Sequence, residues 1–302
     1  MVSQPSPTTI VACSVVSLVF AAVTLVLRLV ARVHFVKIFG AEDAFIALAL
    51  VLSTCHVTGV IYQVRFGLGT HVEEHTSHDI ELFLKALFLS IITYVTGHTL
   101  AKISILCLYI RAFGVTKMRK VYYGMLIAIG ANGFWLIFSG IFSCVPVQGF
   151  WDTTVSATCL PRKPMWFSNA AINILSDFAL FLSPMVVLRP MTLPRRHKIG
   201  LYFVFGLGLF VCVISIIRFY YLYYGAESVD VTWIIAGVSM WSAVELNVAI
   251  VCACLLVMKP LFLRLFPGLF IGSPISLEDG GSHIIPLTVP DTSSGTGTQR
   301  TL

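Results

Sequence analysis

Four ionisable side chains stand far inside long apolar stretches of the sequence: Lys102, Asp177, Arg218 and Glu245. Two are cationic and two anionic, so they can neutralise one another. A charge at the centre of a hydrocarbon layer costs at least about 2.5–3.5 kcal/mol, so each is expected to be paired or to face a wet cavity. Helical spacing gathers polar companions around them. Asn169, Asn173 and Asp177 recur at i, i+4 and i+8 and form one stripe; Tyr94, His98 and Lys102 form a second; Trp241 and Glu245 share a face with Ser242 beside them. His56 carries Ser53 and Gln63 on its side of a further stretch. Such stripes are expected to turn away from lipid and converge on a central cavity, with Lys102 opposite Glu245 or Asp177 and Arg218 near the outer mouth. Three uses of these groups stay open. Asp177 or Glu245, in apolar surroundings, would serve as a general acid, with Tyr94, Trp233 and Trp241 presenting ring faces to a developing cation. The same groups would instead hold a small molecule. They would also serve as plain glue between helices.

The elements that must position these residues are long apolar helices. Charged residues make up 11% of the 302 positions and the mean hydropathy is +0.90, against about 25% charged residues in a soluble domain. Runs of roughly 20 apolar residues suffice to cross a bilayer. The sequence offers seven, at Thr9–Val33, Ala44–Phe66, Ala86–Tyr109, Val121–Phe142, Trp166–Leu188, Ile199–Leu222 and Trp233–Met258. Backbone groups in hydrocarbon must pair internally, so these are helices. The expected fold is all-α, a polytopic seven-transmembrane bundle surrounded by lipid.

The joints between spans alternate in charge. Lys and Arg gather at the first (Arg28, Arg32, Lys37), the third (Arg111, Lys117, Arg119, Lys120), the fifth (Arg189, Arg195, Arg196, Lys198) and the exit of the last span (Lys259, Arg264). The second carries Glu73, Glu74, Asp79 and Glu81, and the sixth Glu227 and Asp230. Basic loops stay in the cytoplasm. The expected arrangement is therefore a short external N-terminus (1–8), a transmembrane domain (9–272) and a cytoplasmic C-terminal tail (273–302). Nothing before Arg28 is charged, so the first span is not expected to be a cleaved signal peptide. The tail is rich in Gly, Ser, Thr and Pro and is expected to be disordered. The net charge of +6 follows from this topology and from contact with anionic lipid rather than from nucleic-acid binding. The basic inner joints are also where a cytoplasmic partner would meet the protein. A plasma-membrane and an endomembrane location fit equally.

Six of the eight cysteines fall within spans; Cys144 and Cys159 flank the fourth joint, on the oxidising side, where a disulfide between them is permitted and expected. His71, His75 and His78 in the second joint would present three imidazoles to zinc or copper on one helical face, or form a plain solvated loop that titrates near neutrality. Metal is the weaker reading, because no fourth ligand is evident. Phosphate-loop, zincin and nucleophile-elbow motifs do not occur. No cofactor is expected, and retinal in particular is excluded because the last span holds Glu245 and no lysine.

An ordered set of residues resembles the fungal rhodopsin domain family of integral membrane proteins. It comprises Glu42-Asp43, Gly67-Leu-Gly69-Thr-His71, Lys102-Ile-Ser104, Tyr109-Ile-Arg111, Cys144-Val-Pro146, Trp151, Cys159, Asn173, Asp177, Pro184, Arg195, Lys198, Arg218, Asp230-Val-Thr-Trp233, Trp241 and Glu245-Leu-Asn247. The set covers nearly the whole membrane region, and the family usually shows two aspartates where this chain has Glu42-Asp43. The resemblance implies a seven-helix membrane protein, with some members looking like surface sensors and others encoded beside secondary-metabolite pathways. Two functions therefore compete. One is a receptor-like protein binding a small amphiphilic molecule. The other is a membrane enzyme performing acid-initiated cyclisation or isomerisation of an apolar metabolite. A transporter has less support, since no internal repeat is visible.

Overall fold

The structure, a computed structural model, describes residues 5–36, 40–71, 73, 75–112, 119–152, 154–188, 195–225 and 231–265. Among them are seven helices long and apolar enough to cross a membrane: α1 Pro7–Ala31, α2 Ala41–Arg65, α3 Ser77–Ala112, α4 Arg119–Ile141, α5 Arg162–Leu188, α6 Arg195–Gly225 and α7 Val231–Leu265. The chain is thus a multi-pass membrane protein. Lys37, Glu74, Lys117, Arg189, Glu227, Asp230 and the 273–302 tail lie outside the described residues.

The helix ends follow local chemistry rather than the edge of the hydrocarbon. Ser6 caps α1, its hydroxyl accepting from the Thr9 amide at 3.3 Å, and Pro7 follows at the first helical position. The Asp43 carboxylate accepts the Gly40 amide at 3.2 Å and so closes the start of α2. Helix α3 begins well before Ala86 because Thr76 and Asp79 cap each other: the Thr76 hydroxyl donates to the carboxylate at 2.6 Å and accepts the Asp79 amide at 3.3 Å. Between α2 and α3, Gly67 and Gly69 take φ values of 109° and 89°, which only glycine adopts freely. This turn buries Leu68 completely and is tied to α7, with the Thr232 hydroxyl donating to Thr70 O at 2.9 Å.

Helix α7 is the most enclosed element. Ala243, Leu246, Ile250 and Cys254 are 0% exposed on it. Its alanines and cysteines let neighbours approach closely. Helix α4 is the most peripheral, presenting Ile127, Phe134 and Trp135 outward, as a lipid-facing helix should. It meets α3 through Gly133, where an added Cβ would run into Thr99.

At the end of the bundle where α1 leaves and α2 enters, charges are buried in a dense cluster. Arg28 Nη2 lies 2.8 Å from Asp43 Oδ1, Arg32 Nη2 3.0 Å from Glu42 Oε1, and Arg111 Nη1 2.7 Å from the same Glu42 oxygen. Arg28 Nη1 also donates to Ala253 O at 2.8 Å, and the Ser104 hydroxyl to Glu42 O at 2.7 Å. Four helices, α1, α2, α3 and α7, therefore meet in one ionic knot. Arg28, Arg32 and Arg111, which the sequence pattern presents as loop charges, are structural partners of two buried acids.

At the opposite end, Cys144 and Cys159 are bonded, and β1 (Cys144–Val145) pairs antiparallel with β2 (Thr158–Cys159) around them. The loop they enclose packs onto α3 through Phe150 and Trp151, whose rings lie 5.4 and 5.5 Å from that of Phe88.

Two measurements check this account. Arg28→Met leaves Asp43 buried with half its compensation, and breaking a buried pair costs about 3–5 kcal/mol. The single variant should lose folded yield and melting temperature, and Arg28→Met with Asp43→Leu should recover much of both; a wild-type melting curve for Arg28→Met would contradict the cluster's role. Opening the disulfide, which spans 15 residues, should cost roughly 3 kcal/mol on the chain-entropy account. Cys144→Ser/Cys159→Ser should therefore melt lower, and non-reducing mass spectrometry should find both thiols consumed in the native protein.

Candidate ligand site in the bundle interior

Helices α3, α5, α6 and α7 bring the four intramembrane charges together as two pairs. Lys102 Nζ lies 3.1 Å from Asp177 Oδ1. Arg218 Nε lies 2.6 Å from Glu245 Oε2. Side-chain partners fill in around them. Lys102 Nζ donates to Asn173 Oδ1 at 2.8 Å and Ser176 Oγ at 2.6 Å. Tyr94 donates its phenol to Glu245 Oε2 at 2.8 Å while Arg218 lies over its ring at 5.3 Å. Two residues join the pairs. Asn173 accepts from Lys102 and donates to Glu245 Oε1 at 3.0 Å. The Ser215 hydroxyl donates to Glu245 Oε1 at 2.7 Å and sits 3.2 Å from Asp177 Oδ2. Charged hydrogen bonds in a low dielectric are the strong ones, so this network holds four helices in register.

A cavity of about 170 Å³ lies against the network. Tyr94, His98, Lys102, Asn169, Asn173 and Arg218 line it. Asp177 and Glu245 do not; they sit in the wall behind, 1% and 0% exposed. Trp241 also stands away from the lining, with its ring 6.4 Å from that of Tyr221 and its indole N–H without a hydrogen-bond partner among the described residues. Trp233 stacks on His71 at 4.8 Å, by the α2–α3 turn. His75 Nε2 is 2.7 Å from the Thr70 hydroxyl, and His78 is exposed. Their imidazoles thus have separate surroundings.

Among the described residues, His98, Asp177 and Glu245 alone bring three metal-type ligand atoms within 4.8 Å of one another. Both carboxylates are already matched to cations, and a divalent ion there would meet Lys102 and Arg218 at close range. The residues fit an ion-pair network better than a metal centre.

Ser176, Ser215, Ser90, Ser239 and Asn132 escape a reading by charge and stripe. Ser215 stands one helical turn before Arg218, on the same face. Ser176 lies beside Asp177. A second polar group holds His56 Nδ1 at 3.0 Å from Ser90 O, Gln63 donating to Ser90 Oγ at 2.8 Å, and Ser239 donating to Gln63 at 3.4 Å. Ser53 donates to Asn247 at 2.6 Å, and Asn247 to Ser17 at 3.1 Å, joining α1, α2 and α7. Asn132 also lines the cavity. A lone amide in the apolar middle of α4 is the one signal that could have revealed it.

A seven-helix bundle with a paired-charge interior and a mostly apolar cavity beside it defines a polytopic membrane protein built around an internal ionic network. The fungal rhodopsin domain profile matches residues 27–264, and the chain belongs to that family. It is 30% identical over 157 residues to a SAT4 family membrane protein of Emericella nidulans, a match covering 51% of this chain and 41% of the relative. It is 27% identical over 265 residues to polyenoic acids biosynthesis gene cluster protein Ba17b of Metarhizium anisopliae, covering 80% and 71%. It is 25% identical over 190 residues to Receptor GIN3 of Arthrobotrys oligospora, covering 61% and 44%. The matches to the first and third thus span less than half of those relatives.

The pairing makes a specific demand. Glu245→Gln removes the anion facing Arg218 and should cost about 3–5 kcal/mol. Arg218→Leu combined with Glu245→Gln should be less damaging than Glu245→Gln alone. Fluorescence-detected size exclusion of the two variants after heating reads the order; equal losses would mean that the two groups do not compensate each other.

Proposed function

We propose that this protein is a receptor-like, non-enzymatic membrane protein that holds a small amphiphilic molecule in the cavity beside Lys102 and Arg218. One observation carries the reading: both interior carboxylates lie in ion pairs behind the cavity wall. A general acid must hold a proton and reach the substrate. Asp177 and Glu245 are instead committed to cations and withdrawn from the lining. The aromatic faces that cation chemistry would need are also engaged, Tyr94 by Arg218 and Trp233 by His71. The relative named as a receptor supports the same reading. We further propose that the N-terminus is external and the C-terminus cytoplasmic, that residues 273–302 form a disordered cytoplasmic tail, and that the basic inner joints receive a cytoplasmic partner. Arg119, exposed at the start of α4, is available to such a partner, whereas Arg111 is partly occupied by Glu42.

A second reading, a membrane-embedded enzyme of secondary metabolism, is favoured by the relatives named for biosynthesis clusters. The two part in one pair of assays. The purified protein should gain thermal stability with members of a panel of fungal polyketides and terpenoids, and microsomes containing it should return those compounds unchanged. Conversion to an isomer would establish the enzyme instead. Protease mapping should cut the 113–118 joint only from the cytoplasmic side; cleavage from outside would reverse the orientation.

A further inference from the structure

The cavity is not closed on all sides by helix packing. Among the described residues, α4 and α5 make far fewer contacts than any other consecutive pair of helices. Ile129, Asn132, Leu136 and Gly140 recur along one face of α4 and line the cavity, as Met165, Trp166 and Asn169 do from α5. The other face of α4 carries strongly exposed apolar side chains that meet lipid. The cavity therefore runs along the seam between the peripheral helix and α5.

The polar groups that α4 and the start of α5 place at that seam are amides. Asn132 and Asn169 have no hydrogen-bond partner among the described residues, although an amide in hydrocarbon that lacks one is costly. Deeper in, His98 lines the cavity, and its buried Nε2, 3.8 Å from Glu245 Oε1, is without a hydrogen bond among the described residues. These groups accept and donate hydrogen bonds but carry no fixed charge. Lys102 and Arg218 also line the cavity, but each is paired with an acid behind the wall, so the charged set is balanced, two cations against two anions. A charged ligand would unbalance that set inside a low dielectric, whereas an uncharged polar group would not. A volume of about 170 Å³ accommodates a polar end and a few carbons, since a single water occupies roughly 30 Å³ of liquid. The rest of a longer molecule must lie in the seam or in the bilayer.

The geometry points to lateral entry: the α4–α5 seam admits from the bilayer an uncharged, mostly apolar molecule bearing a hydroxyl or carbonyl end, and Asn132 and Asn169 hold that end. The inference rests on the cavity being the ligand site. It names the route and the class of molecule.

The test uses the full chain in phosphatidylcholine vesicles containing one of three photoreactive long-chain probes that differ only at the head: an alcohol, a carboxylic acid or an amine. Peptide mass spectrometry after irradiation locates the label. The alcohol should label Ile129, Met165 or Trp166 well above the other two. Asn132→Leu and Asn169→Leu, similar in volume, should each lower that labelling about fivefold, the loss of one hydrogen bond. Gly140 offers a way to fill the seam, because an added Cβ there meets only Ile91 Cγ2, at 4.0 Å. Gly140→Phe should suppress labelling while the melting temperature holds. Preference for the acid or the amine would overturn the assigned class. Unchanged labelling in both leucine variants would overturn the role of the amides, and unchanged labelling in Gly140→Phe would overturn the route. If no probe labels the cavity but fungal metabolites still stabilise the protein, the seam proposal fails and the cavity reading stands. If no probe labels it and no metabolite stabilises the protein, both fail.

Discussion

A charge carried into hydrocarbon must bring its counter-charge or be met there by one, and the helices of this protein are arranged around that demand. The demand is satisfied twice. At one end of the bundle, Arg28, Arg32 and Arg111 close on Glu42 and Asp43. Midway along it, Lys102 and Arg218 close on Asp177 and Glu245. Between them these ion pairs involve α1, α2, α3, α5, α6 and α7. Helix α4 carries no member of either set, and it is also the helix least embedded in its neighbours. Apolar packing alone separates helices from lipid weakly, because lipid tails are as apolar as leucine. The ion pairs and the hydrogen bonds that complete them supply the specificity.

The same arrangement shapes the chemistry of the interior. Asn173 and Ser215 each touch both ion pairs, so movement of α5 or α6 at one pair is felt at the other. The acids are screened from the cavity by the groups that satisfy them. The cavity surface is then mostly apolar, its polar groups being mainly neutral amides, hydroxyls, imidazole and a phenol-bearing ring, with Lys102 and Arg218 reaching in from their pairs. On the function proposed above, such a surface orients a molecule rather than breaking its bonds.

Much of the architecture is legible in the composition. Seven apolar runs and two loop cysteines lead to seven helices and one disulfide. The stripes on α3 and α5 show which faces turn inward. What the sequence leaves hidden depends on helix rotation. Whether Lys102 meets Asp177 or Glu245 turns on a few degrees about the axes of α5 and α7. The withdrawal of both acids behind the lining, and of Trp241 away from it, is likewise a property of packing. Arg28 and Arg32 show a different limit. Their position after an apolar run satisfies the rule for cytoplasmic loops so well that nothing signals their burial, until Glu42 and Asp43 are found facing them. The early start of α3 was written locally, in Thr76 and Asp79, but a hydropathy window looks for hydrocarbon and not for caps.

The two ionic sets differ in how far apart their members lie along the chain, and this has a bearing on how the protein is made. Arg28 and Asp43 are 15 residues apart, and Arg32 and Glu42 are 10 apart, on helices that leave the ribosome consecutively. An α1–α2 hairpin can enter the bilayer with those charges already matched. Lys102 arrives on α3 and must wait for Asp177 on α5; Arg218 waits for Glu245 on the last helix. During synthesis the membrane therefore holds uncompensated charge twice, from the third helix to the fifth and from the sixth to the seventh, and a chain truncated or stalled in either interval carries a label of its own incompleteness for quality control to read.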